Sequence, residues 1–124
     1  MSSHIDDFAA AALIASGQAP GSVNANTNGS TVDLINADGP CFAIQQVGDV
    51  TGDTSLTGHI EQSADGTTWA AISGATFTPV TDSGDIQVIR FNRSSRYVRW
   101  VATITGTDHT AKVAVLIGEQ RKTI

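Results

Sequence analysis

Three histidines, one cysteine and scattered carboxylates are the side chains of this 124-residue sequence with the most scope for chemistry. His59 and Glu61 stand two apart, a spacing that puts both on one face of an extended strand, where an imidazole and a carboxylate can share acid–base work. The same spacing describes a solvent-facing polar pair, which is the preferred reading. A nucleophile needs a base beside it and a third group to orient that base, and no serine here sits in a G-x-S-x-G turn. No catalytic residue is therefore nominated, and the chain is expected not to be an enzyme. His4, His59 and His109 lack the close spacing of a zinc site. Asp49 and Asp53 could stand at positions 1 and 5 of a calcium loop, but Gly52 and Leu56 break the rest of that pattern. No metal and no other cofactor is expected. Cys41 is the sole cysteine, so an intrachain disulfide and a C-x-x-C site are excluded. Standing before Phe42 at the start of an apolar stretch, it reads as a small buried thiol.

Charge narrows the partners. The net charge is −5 and only 15% of residues are charged, so a broad phosphate-binding footprint is excluded and no nucleic-acid partner is expected. Arg90, Arg93, Arg96 and Arg99 gather in ten residues, but they read as salt-bridged strand residues before they read as a basic patch. No apolar run approaches the 18 residues of a membrane helix. The segment FAAAALIA from Phe8 to Ala15 is short, and His4, Asp6 and Asp7 precede it where a signal peptide has Lys or Arg. It reads as part of the mature chain, and no membrane partner is expected.

The elements that must position these side chains divide into an arm at 1–29 and a body at 30–124. The arm offers one or two helical turns, capped by Ser3 or Asp6, with Phe8, Ala11, Ala12 and Ala15 on one stripe. The Gly/Pro/Asn-rich stretch from Gly17 to Gly29 follows as a spacer. The body predicts strands at about 30–36, 41–48, 55–63, 67–72, 76–80, 85–92, 96–105 and 110–119. Turn signals separate them at Asp38-Gly39-Pro40, Gly52-Asp53, Asp65-Gly66, Ser73-Gly74, Ser83-Gly84 and Gly106. Alternation turns Val98, Trp100, Ala102 and Ile104 inward, and likewise Val113, Val115 and Ile117. The expected core is Phe42, Ile60, Trp69, Phe91, Val98, Trp100 and Val115. Several strands are apolar on both faces, which asks for a cover from another sheet, the arm or a partner. The fold class is all-β: an antiparallel β-sandwich of about eight strands, jelly-roll-like, with an extended or short-helical N-terminal arm.

Two resemblances bear on function. Ser63-Ala64-Asp65-Gly66-Thr67-Thr68-Trp69, taken with Arg96-Tyr97-Val98-Arg99-Trp100, resembles the S-x-D-G-x-x-W and R-Y-V-R segments of discoidin-like, galactose-binding-like jelly rolls, without that pattern's bracketing cysteines. It implies, as the alternative function, a small carbohydrate-binding module, which would need exposed aromatics; Trp69, Tyr97 and Trp100 are the candidates, and alternation turns Trp100 inward. The whole body from Val32 to Ile124 resembles small structural proteins of tailed bacteriophages, which decorate or cement capsids or build tails. That resemblance implies a virion protein assembled in the host cytoplasm, with a capsid or tail protein or copies of itself as partners, and a homo-oligomeric state. Partner contacts are then expected from Ile5, Phe8, Leu13 and Ile14 of the arm and from Tyr97 and Arg99 on an outer sheet face.

Overall fold

The computed structural model describes residues 12–107 and 109–121, with the backbone alone at Ala12 and Arg121. Nine strands and no helix occur among the described residues: β1 (Ala12–Val23), β2 (Thr27–Asn28), β3 (Val32–Asp33), β4 (Ala37–Val50), β5 (Ser55–Ser63), β6 (Ala70–Thr76), β7 (Asp85–Phe91), β8 (Tyr97–Thr105) and β9 (Ala111–Arg121). They form two antiparallel sheets. One has the order β1-β9-β4-β7, the other β2-β8-β5-β6, with β3 also paired to β8.

The two sheets pack face to face because each strand alternates. Leu56, Gly58 and Ile60 of β5 and Val98, Trp100, Ala102 and Ile104 of β8 are buried from one side. Cys41, Ala43, Gln45 and Val47 of β4 and Val113, Val115 and Ile117 of β9 are buried from the other. Each large aliphatic side chain so buried contributes on the order of 1.5–3 kcal/mol. The β5–β8 ladder runs unbroken from Ser55↔Thr105 to Ser63↔Tyr97, and a slip of one residue would turn Trp100 out into water. Across the interior, Trp100 Nε1 donates to Gln45 Oε1 at 3.0 Å and ties the sheets together. Both open sides of the sandwich are stitched. On one, the Ser30 amide donates to the Gly17 carbonyl at 2.9 Å. On the other, the Gln87 side-chain amide bonds both the N–H and the C=O of Thr78, at 2.8 and 2.9 Å.

The expected turns at Asp65-Gly66 and Gly106 are built on positive φ. Gly66 has φ 80°, and the turn is held by Ser63 Oγ, which accepts from the amides of Asp65 and Gly66. Gly106 has φ 130° and lies so close to Asp53 that a Cβ would come within 2.9 Å of its carbonyl oxygen.

Several expectations are corrected. Ala12 and Ala15, placed on a helical stripe, belong to a strand, and the spacer 17–29 contains the second half of β1 and all of β2. Residues 12–29, expected as arm and spacer, thus contribute strands to both sheets. The portion with Ser3, Asp6 and Phe8 lies outside the described residues. β1 was illegible because its register against β9 shifts twice, between Ser16 and Gln18 and again between Gln18 and Gly21. Those bulges erase the period of two, and an edge strand tolerates the Pro20 that argued against a strand. At Gly17 a Cβ would come within 2.8 Å of the Ile117 side chain, which would have to shift. Residues 67–72 and 76–80 do not form two strands. Thr67–Trp69 belong to the turn, and Ser73-Gly74 is a bulge inside the single strand β6. Of the expected strand 30–36 only Val32 and Asp33 form a strand, β3, paired to β8. Phe42 and Trp69 leave the expected core and lie half-buried on outer faces, whereas Ile60, Phe91, Val98, Trp100 and Val115 are buried.

Candidate functional site

The acid–base candidates sit on the outer face of the five-stranded sheet. β5 presents His59 and Glu61 together, with His59 Nε2 3.2 Å from Glu61 Oε2. β8 brings Arg99 beside them, and its Nε and Nη2 donate to Glu61 Oε1 at 3.0 and 2.8 Å. Burial pushes the Glu61 carboxyl upward, but the hydrogen bonds from Arg99 and His59 outweigh it and hold the group below its ordinary range. An ionised carboxylate tied to an arginine is a weak base, and the arrangement reads as a structural cross-strand pair. The Arg99 guanidinium also lies 4.4 Å over the Trp69 ring, and Arg96 lies 4.9 Å over Tyr97 while binding Asp33 through two bonds of 2.8 and 2.7 Å. Tyr97 and Arg99, nominated for partner contact, are thus half-buried and already engaged within the sheet.

A second polar cluster is enclosed. Glu119 of β9 is only 1% exposed, and Arg93 Nε donates to both its oxygens at 2.8 and 3.0 Å. The same guanidinium donates to the carbonyls of Ser95, Leu34 and Ala37 at 2.9, 2.8 and 2.8 Å. Cys41 Sγ donates to Glu119 Oε2 at 2.9 Å. Burial first, and the neighbouring Glu119 second, push the Cys41 thiol up to about 12. A thiol so placed is protonated and closed to solvent, so the cluster is a clamp joining the β7–β8 loop to β9 and the turn before β4. Of the four arginines expected as salt-bridged strand residues, Arg93, Arg96 and Arg99 are salt-bridged, but Arg93 and Arg96 lie in the loop between β7 and β8 and no ion pair of Arg90 occurs among the described residues; the link from Arg93 to Glu119, 26 residues away, carried no sequence signal. Asp53 accepts the Thr107 amide with both oxygens, whereas Asp49 lies 3.7 Å from Lys112 on the surface. The two carboxylates are occupied separately, and among the described residues no three His, Cys, Asp or Glu side chains converge as a metal set.

The outer face of the four-stranded sheet is different in kind. Register aligns Ser16, Leu116, Ile44 and Val88 in one row across β1, β9, β4 and β7. The next rows carry Ile14, Gly118, Phe42 and Arg90, and on the other side Ala114, Gln46 and Ile86. Ile14, Leu116, Val88 and Ile86 are 53%, 45%, 60% and 64% exposed, with Ile44 and Phe42 half-buried between them. Phe42 lies flat against Gly118, where any Cβ would collide with its ring. Isolated exposed aliphatics are ordinary; here such side chains adjoin one another across four strands. The nominated arm residues divide here: Ile14 points out into this face, Leu13 packs inward against the core, and Ile5 and Phe8 lie outside the described residues. Toward the far end of β1, where the bulges draw it aside, a hollow of about 350 Å³ opens among Pro20, Ser22, Gln46, Gly48, Lys112 and Ala114. Arg90 and Lys112 bring positive charge to this face, with the exposed Asp49 carboxylate 3.7 Å from Lys112.

The sequence indicated that outer faces were apolar, but not that four strands would align those residues into one surface. No family profile matches the chain, and neither curated proteins nor solved structures give a match to it.

Proposed function

We propose that this chain is a non-enzymatic structural protein that docks on other protein subunits through the outer face of β1-β9-β4-β7, as a decoration- or cement-type component of a phage capsid or tail lattice. The observation that carries this reading is the contiguous apolar surface of Ile14, Phe42, Ile44, Ile86, Val88 and Leu116 on an otherwise acidic molecule. A sheet face of this kind is stable in water when a second protein surface covers it. The reading takes the fold as a jelly roll. Supporting that, consecutive long strands β4 and β5 lie in different sheets, as do β6 and β7 and then β8 and β9. The orders β1-β9-β4-β7 and β2-β8-β5-β6 interleave as in a paired Greek key. The resemblance to small phage structural proteins supplies the lattice. The copies themselves are taken as homo-oligomeric.

Light scattering on the full chain tests the docking face. The expected result is a particle heavier than the 12.9 kDa monomer, reduced to monomer by Val88→Glu with an unchanged circular dichroism spectrum. A wild-type chain that stays monomeric at high micromolar concentration, or a Val88→Glu variant of undiminished mass, overturns the reading.

A further inference from the structure

We infer that β7 pairs antiparallel with β7 of a second copy across a two-fold axis at Val88, joining two four-stranded sheets edge to edge; the choice of a second copy rests on the homo-oligomeric state proposed above. A sheet edge presents unpaired N–H and C=O groups, and proteins blunt such edges with short strands, proline or bulges. The other edges here are blunted. β1 carries Pro20 and two register shifts against β9, β2 and β3 are two residues each, and β6 is bulged against β5. β7 has none of these devices. Asp85 to Phe91 pair with Val47 to Cys41 of β4 without a shift and contain no proline. They also bring out Ile86 and Val88, the most exposed large apolar side chains among the described residues, at 64% and 60%.

One bond sets the direction of the backbone groups. The Gly84 amide donates to the Gly48 carbonyl at 3.1 Å, in register with Asp85↔Val47, so the two residues form a bonded pair of the antiparallel ladder. Alternation then turns the groups of Ile86, Val88 and Arg90 to β4, and those of Asp85, Gln87, Ile89 and Phe91 to the open edge. Among the described residues nothing bonds the backbone N–H or C=O of Gln87 or Ile89 on that edge. The Gln87 side chain turns inward to Thr78 and leaves them unpaired.

The strand is its own complement. Outward residues must meet outward residues, and residues with free groups must meet one another. Full overlap of the seven residues then sets Val88 opposite Val88, Gln87 opposite Ile89, Ile86 opposite Arg90 and Asp85 opposite Phe91. Each Gln87–Ile89 pair exchanges both of its bonds. Asp85 and Arg90, the charged residues of the strand, meet no like charge, which would be unfavourable directly opposite. The row Ser16, Leu116, Ile44 and Val88 runs on across the axis into the same row of the second copy, so the two apolar outer faces become one surface. Such a two-fold contact closes on itself without further subunits.

Oxidative cross-linking of two full-length variants reads the register. In a non-bonded pair the two Val88 Cα atoms lie about 4.5 Å apart, within disulfide range. Ile86 stands about 14 Å along the strand from Ile86 of the second copy, beyond that range. Val88→Cys is therefore expected to give a disulfide-linked dimer under mild oxidant and Ile86→Cys none, while Cys41, 1% exposed, stays out of the reaction. Amide exchange of the wild type, followed by NMR, reads the bonds: Gln87 and Ile89 should exchange slowly at high micromolar concentration and quickly on dilution. A Val88→Cys protein that does not cross-link, equal cross-linking of both variants, or exchange at the two amides that ignores dilution overturns the pairing. If the wild type is heavier than a monomer by light scattering while Val88→Cys stays uncross-linked, the docking face stands and only the edge pairing falls.

Discussion

Replacing Arg93 with alanine should destabilise the domain by about 4 kcal/mol, because it strands the Glu119 carboxylate, 1% exposed, without its counter-charge. The magnitude follows from what the guanidinium holds. Removing one partner of a buried ion pair costs roughly 3–5 kcal/mol. The carbonyls of Leu34, Ala37 and Ser95 lose a charged donor as well, each worth on the order of 1–3 kcal/mol if left dry. Arg93 is 15% exposed, so water can enter the vacated space and recover part of the carbonyl loss. The middle of the ion-pair range is therefore the expectation. Against a total stability of about 5–15 kcal/mol this is a large share, and at roughly 4 °C per kcal/mol the midpoint of thermal unfolding should fall by about 15 °C. Urea denaturation of wild type, Arg93→Ala, Glu119→Gln and the double variant closes the cycle. The double variant should be more stable than Arg93→Ala alone, since the second change removes the orphaned charge. A loss below about 1 kcal/mol for Arg93→Ala, or a double variant that merely sums the two singles, would refute the clamp.

Two further outcomes follow from the interior and the turns. Gly58→Ala places a methyl against Gln45 Oε1 and Trp100 Nε1, so it should cost about 1–3 kcal/mol in urea and alter the near-ultraviolet signal of Trp100; an unchanged urea midpoint would show that the sheets are packed more loosely there. Asp65 accepts from the Thr68 and Thr67 amides and the Ser63 hydroxyl, which together hold its carboxyl far below the ordinary range. Arg96 lowers Asp33 in the same direction. Such groups bind protons more readily unfolded than folded, so their contribution is complete above the unfolded value of about 4 and is lost as pH falls below it. The urea midpoint should drop between pH 5 and pH 3, and Asp65→Asn should flatten that drop; an equal slope in the variant would place the pH dependence elsewhere.

The strands that the sequence made legible are those with an uninterrupted period of two. β5, β8 and β9 each carry apolar residues at alternate positions, and glycines mark the turns between them, because pleat geometry sends alternate side chains to opposite faces whatever the partner strand. β1 escaped because its information is not local: a bulged edge strand containing Gly17, Pro20 and Gly21 has no period, and its pairing with β9 holds it extended. Trp69 escaped for a related reason. Nothing in its neighbours says whether a tryptophan after a turn faces the core or an arginine two strands away.

The amino-acid order by itself determined the class of fold, the inward-facing set around Trp100, the buried Cys41 and the pairing tendency of the arginine run, since each depends on alternation or on charge along the chain. Only the tertiary structure decided that Glu119 would meet Arg93 and Cys41, that Leu13 would turn in while Ile14 turned out, and that Ile14, Leu116, Ile44 and Val88 would lie on one surface. Those relations depend on strand order and register between segments as much as about one hundred residues apart, which pairing between strands sets and no local pattern encodes.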